Sequence, residues 1–165
     1  MAQRLHFGER ATRVKHSKLP TVAFPLSEAS VTPALAVVMT MAAIEAANRI
    51  RAQHGLYPLR HSPLLDRAAE RHTYWMMRTG RFSYVRPAGS RAQQCISATG
   101  YRACYGGENL AKGTSSLGIT FREWMKSPGH RRILLTSRGA EMGFAMGRDS
   151  RGRPHWTMLV GTRCL

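Results

Sequence analysis

Two short stretches of the chain carry side chains suited to chemistry. One is Ser127-Pro128-Gly129-His130-Arg131-Arg132; the other, upstream, is Gly106-Gly107-Glu108-Asn109. Ser-Pro is a helix-start signal. The serine can accept free N–H groups of the first turn, and proline fits the first helical position because its missing N–H is not needed there. His130 then falls in the first turn, where the positive end of the helix disfavours imidazolium. A neutral ring is the state required of a metal ligand or a general base. Gly129 leaves the approach to the ring open, and the plainer alternative is a histidine that caps and packs. Glu108 follows paired glycines, which let the backbone come close to another group. A carboxylate and an imidazole meeting at the floor of one groove could place a water between them, or could simply hydrogen-bond as a structural pair. No Ser/His/Asp arrangement accompanies them.

The elements that must position these groups can be read from periodicity and punctuation. Thr32-Pro33 opens a first helix over about Ala34 to His54, ended by Gly55, with Val37, Met41, Ile44 and Asn48 as its buried stripe. Asn48 on that stripe predicts a satisfied core hydrogen bond. Leu56 to Leu59 reads as an extended connector. Ser62-Pro63 opens a second helix that stops at Gly80, with Leu65, Ala68, Ala69, His72 and Met76 on one face. A histidine on an apolar face is usually a hydrogen-bonded core residue, though His72 could look into a cavity. Phe82 to Val85 is strand-like, Pro87 to Ser90 a turn, and Arg91 to Thr99 a short helix ended by Gly100. Gly106 to Ala111 reads as a tight loop entering a strand. A third amphipathic helix covers Ser115 to Lys126, with Leu117, Phe121, Trp124 and Met125 on its apolar side, and the His130 helix runs on through Leu135. Glu141–Arg148 and His155–Arg163 are two apolar strands joined by a hairpin at Asp149-Ser150-Arg151-Gly152. The sum is α+β: helices around a small, mostly antiparallel sheet.

A chain of 165 residues, 43% apolar and 21% charged, is one globular domain by length and composition. Its charge is the unusual property, with 25 Lys and Arg against 9 Asp and Glu, or +16. Residues 1–30 hold five basic and two acidic side chains, so the remaining 20 basic and 7 acidic ones leave +13 on the folded part. Such a field attracts anionic lipid, cell-envelope polymer or nucleic acid. No aromatic-basic ladder or nucleic-acid signature is present, and dedicated nucleic-acid binding is not expected. Residues 1–30 read as a mobile basic tail or degenerate leader, and 31–165 as the domain. The apolar stretch from Thr21 to Ala43 is broken by Pro25, Glu28 and Pro33, with Pro20 just before it, and cannot span a membrane. Three cysteines cannot all pair within one chain. Cys95 and Cys104 could close a small loop, and Cys164 sits at the C-terminus.

Several motifs in one order resemble a known family. Asn48-x-x-Arg51 with His54-Gly55-Leu56-x-Pro58-Leu59 is similar to the start of the CAP domain of cysteine-rich secretory proteins, antigen 5 and pathogenesis-related proteins, also called the SCP domain. Leu65-x-x-Ala68-Ala69-x-x-His72-x-x-x-Met76 resembles its second helix. Gly80-Arg81-Phe82-Ser83, Gly107-Glu108-Asn109-Leu110-Ala111, Trp124 to Arg131, and Met142-Gly143-Phe144-Ala145 continue the order over about residues 35–165, closest to the compact bacterial branch. The resemblance implies a three-layer α-β-α sandwich and export to an extracellular or periplasmic location. It also implies a central cleft in which two histidines and two acids can hold a divalent metal. Glu108 matches the first acid and His130 the second histidine. Tyr84 stands where many bacterial members have the first histidine after Phe-Ser, and Ser127 stands at the second acid, while Glu123 is a neighbour only. Half of the set remains. Tight zinc binding wants three or four N, S or O ligands, and a neutral tyrosine is a poor third. No cofactor is therefore expected beyond weak zinc binding at Glu108 and His130.

The reading that follows is a non-enzymatic binding module for lipid or another anionic ligand, since members it resembles bind sterols, fatty acids or anionic lipids. The cleft lined by Tyr84, Ser127 and His72 is then degenerate. The alternative is a metal- or water-dependent, peptidase-like hydrolase with Glu108 and His130 as its catalytic residues. A third reading is a scaffold with a vestigial cleft.

Overall fold

Along the last strand, Trp156, Met158 and Val160 alternate with Thr157 and Leu159, and all five are buried, so both faces of that strand must be covered. The computed structural model, which describes residues 33–85 and 91–164, shows how. The elements run α1 (Pro33–Gln53), β1 (Arg60–His61), α2 (Pro63–Thr79), α3 (Ala92–Ser97), β2 (Ala103–Lys112), α4 (Leu117–Lys126), α5 (Pro128–Leu134), β3 (Glu141–Arg148) and β4 (Pro154–Arg163). The strands form one sheet in the order β1-β3-β4-β2, antiparallel except for the short β1–β3 pair. On one face, Ala43, Ile44 and Ala47 of α1, Phe121 and Trp124 of α4 and Leu134 pack on Met142, Phe144, Trp156, Met158 and Val160. On the other, Leu65, Ala68 and Ala69 of α2 and Ile96 of α3 pack on Ala145 and Leu159. This is a three-layer α-β-α sandwich. The expected tail of residues 1–30 and turn of 87–90 lie outside the described residues.

Close approach explains one glycine. A Cβ on Gly143 would lie 2.2 Å from the Leu65 carbonyl carbon and 2.4 Å from the Asp66 nitrogen, so α2 rests directly on the backbone of β3. Asp66 then accepts the Phe144 amide at 2.9 Å, and Thr73 donates to Thr157 at 2.8 Å. Asn48 clamps the connector as expected: its amide donates to the Leu59 carbonyl at 3.0 Å and its oxygen accepts the Leu59 N–H at 2.8 Å.

Four expectations need correction. The buried stripe of α1 is Thr40, Ala43, Ile44, Ala47 and Arg51, while Val37 and Met41 are 62% and 51% exposed. In an almost wholly apolar stretch the helical period has no contrast, and the small Ala43 and Ala47 decide which side approaches the sheet. Phe82–Val85 is not a strand but a loop. Gly106 and Gly107 lie within β2, where a Cβ would meet Gln93 and Ile96 of α3 or Ile133 of α5. The disulfide joins Cys104 to Cys164, not Cys95 to Cys104. The antiparallel register sets Ala103 opposite Arg163 and so brings the two ends together.

Candidate functional site

β2 is an edge strand, and the chemistry-bearing residues gather along it. Successive side chains of a strand point to opposite faces, so Glu108 turns toward α2 and Asn109 toward α5. Glu108 is buried, and its Oε1 lies 2.8 Å from Nδ1 of His72, itself fully buried. The other ring nitrogen of His72, Nε2, lies 3.0 Å from the Ser83 carbonyl. Both ring nitrogens are thus committed to acceptors, one of them the carboxyl group. A proton held between His72 and Glu108 satisfies that contact, whichever of the two carries it. Asn109, also fully buried, donates to the carbonyl of His130 at 2.9 Å and fixes the start of α5 against the strand.

Tyr84 comes in from the loop after α2. Its hydroxyl lies 2.7 Å from Nε2 of His130 and receives the Leu110 N–H at 3.3 Å. With one proton to give and a second lone pair, the hydroxyl engages Nε2 in either tautomer of a neutral imidazole. Burial lowers the His130 pKa, which favours the neutral ring. Burial likewise raises the Tyr84 pKa, opposed by the Leu110 N–H and assisted by the negative charge of Glu108, so the phenol keeps its proton. The Leu110 carbonyl is taken by Trp124 Nε1 at 3.0 Å. Both backbone groups of Leu110 are thereby capped by side chains, which removes a point at which another strand could add to the edge.

Glu108 is engaged by His72, and His130 by Tyr84. Ser127 starts α5 through its backbone: its carbonyl accepts the Arg131 N–H at 2.8 Å, while its hydroxyl makes no capping bond. The Ser83 carbonyl and the Asn109 amide are the parts that motif reading passed over. Strand parity at Glu108 and Asn109 is the signal that points to the second. A resident metal of the kind the resemblance implies does not fit these residues. Tyr84 occupies the histidine's donor atom, and among the described residues no group of three or more His, Cys, Asp and Glu is placed to hold an ion.

A second polar cluster lies at the β3–β4 hairpin. Burial pushes the Asp149 carboxyl up, but the N–H groups of Arg153 and Arg151, the Arg153 side chain and His155 outweigh it and hold the group well below the usual carboxylate range. His155, fully buried, lies 3.2 Å from Asp149. It shapes the turn and lies apart from Glu108 along the sheet.

A sandwich of this topology, with Gly-Glu-Asn on its edge strand and Ser-Pro-Gly-His at a helix start, defines a CAP domain. The family model for cysteine-rich secretory proteins (CAP) matches residues 44–160, and the chain belongs to that family. The protein YkwD of Bacillus subtilis is 25% identical over 127 residues, covering 77% of this chain and 49% of its own length. This chain therefore spans about half the length of that curated relative. Among solved structures, an outer surface protein of Borrelia burgdorferi superposes with a TM-score of 0.70 at 18% identity, covering 75% of this chain and 92% of that one. An extracellular SCP-domain protein of Bacillus anthracis gives 0.70 at 20% identity, over 82% of this chain and 45% of that one. These likenesses are of fold.

Proposed function

We propose that this chain is a non-enzymatic CAP module of the extracellular or periplasmic envelope that binds lipid or another anionic ligand, with a degenerate central cleft. The observation that carries the reading is the division of the reactive groups into two hydrogen-bonded pairs, His72 with Glu108 and Tyr84 with His130. A hydrolytic water needs a base within reach, and Nε2 of His130 is already engaged by the Tyr84 hydroxyl. The net charge of +16 supports an anionic partner. The extracellular and outer-surface relatives support the location. Among the described residues no helix is long and apolar enough to cross a membrane, so attachment of this part of the chain to an envelope would be peripheral.

The competing hydrolase would require Tyr84 to swing away so that a water could sit between Glu108 and His130. The two readings part on one experiment, using Glu108→Ala and His130→Ala. Saturable lipid binding that survives both substitutions and weakens with salt is the expected result. Turnover of a peptide substrate that disappears in both variants would instead establish the enzyme.

A further inference from the structure

α4 and α5 flank an open cavity of about 320 Å³ whose walls are Met125, Pro128 and Leu135 and whose rim is Lys126, Arg131 and Arg132. Lys126 is held by Glu123 at 2.9 Å, but among the described residues no carboxylate pairs with Arg131 or Arg132. Two exposed, adjacent guanidinium groups without a counter-charge form a local positive field that an anion would relieve. A bare phosphate would satisfy only the rim and leave the apolar walls uncovered; an anionic amphiphile satisfies both.

A second observation comes from the loop after α1. Tyr57 is 90% exposed, yet its backbone is held in place. Arg51, buried to 1% exposure, donates to the Tyr57 carbonyl at 2.9 Å and to the carbonyls of Leu134 and Thr136 at 2.9 and 3.0 Å. One guanidinium therefore ties the tyrosine to the residues on both sides of Leu135, a wall of the cavity. A phenol with an apolar body and a polar tip suits the headgroup level of a bilayer. Basic side chains beside such an anchor provide the electrostatic half of interfacial binding.

We infer that the face formed by α4, α5 and the Tyr57 loop is the one this protein lays on an anionic lipid surface. The inference rests on the binding-module reading and adds the face to it. It is tested with the full chain by co-sedimentation with phosphatidylglycerol-containing vesicles, pure phosphatidylcholine vesicles serving as the uncharged control. Arg131→Gln with Arg132→Gln should weaken partitioning about 25-fold, at roughly five-fold for each basic residue near the surface. Tyr57→Ser should cause a loss that persists at high salt. Arg148→Gln with Arg151→Gln removes the same charge at the hairpin. That turn lies at the far end of the eight-residue β3 from the α5–β3 connection, about 26 Å away at 3.3 Å per residue. Being beyond the screening length, the hairpin pair should leave partitioning within about two-fold. An equal loss in the hairpin pair would overturn the face while leaving lipid binding intact. Wild-type protein that ignores both phosphatidylglycerol vesicles and immobilised polyphosphate would overturn the binding-module reading itself. Retention on immobilised polyphosphate, with no vesicle pelleting, would replace the lipid by a soluble polyanion.

Discussion

At Tyr84 a single hydroxyl accepts the Leu110 amide and engages Nε2 of His130. Tyr84→Phe would only remove the hydroxyl, whereas Tyr84→His adds a ring nitrogen beside His130, in the field of Glu108. Zinc affinity of Tyr84→His, measured by calorimetry, should rise above that of the wild type; equal heats for the two proteins would mean that the ligand set cannot be rebuilt from this position. His155 carries a pH dependence. Burial, aided by Lys112 and opposed by Asp149, lowers its pKa below 6.5, as burial does for His130. The unfolded chain then binds these protons more readily than the folded one. Their stabilisation is complete above pH 6.5 and is lost as the pH falls through the lower, folded values. The urea midpoint should fall between about pH 7.5 and about pH 5, and less steeply in His155→Gln. A flat wild-type profile would contradict a buried neutral ring.

At the scale of elements, three serines precede helices, and two of them show how differently a serine can serve. Ser116 accepts the Ile119 N–H on its side chain at 3.3 Å, as a capping residue does. Ser127 ends α4 and begins α5 at once: its N–H goes to the Glu123 carbonyl and its carbonyl to the Arg131 N–H, so the two helices abut through the backbone. The Ser-Pro signal located the helix start but not the bond. Ser116→Ala should therefore cost about 1 kcal/mol, while Ser127→Ala should leave the thermal midpoint close to that of the wild type. The reverse order of effects would show that Ser127, not Ser116, uses its hydroxyl.

Over the whole molecule, the Cys104–Cys164 bond closes a 60-residue separation and fastens the start of the edge strand β2 to the end of β4. Treated as a chain-entropy constraint, a loop of that length contributes about 4 kcal/mol. Reduction, or the Cys104→Ala and Cys164→Ala pair, should lower the free energy of unfolding by that order without changing the far-UV spectrum. A loss below about 1 kcal/mol would place the constraint in a region already held by the β2–β4 ladder. The same bond suits an oxidising compartment, in keeping with the proposed location.

Residue types and local punctuation determined much of this protein. Ser62-Pro63 and Gly80 bounded α2, the period of Leu65, Ala68, His72 and Met76 set its buried face, and the Asp149–Gly152 turn announced the hairpin of β3 and β4. Asn48 declared buried hydrogen bonding by being polar within a core pattern. Partners distant along the chain were decided by tertiary structure alone. The β2–β4 register decides which cysteine meets Cys104, and the packing of helices and loops on the sheet decides which face of α1 is covered and that Glu108 meets His72 while His130 meets Tyr84. Local periodicity encodes which side of an element is buried; it carries no information about which other element will lie against that side.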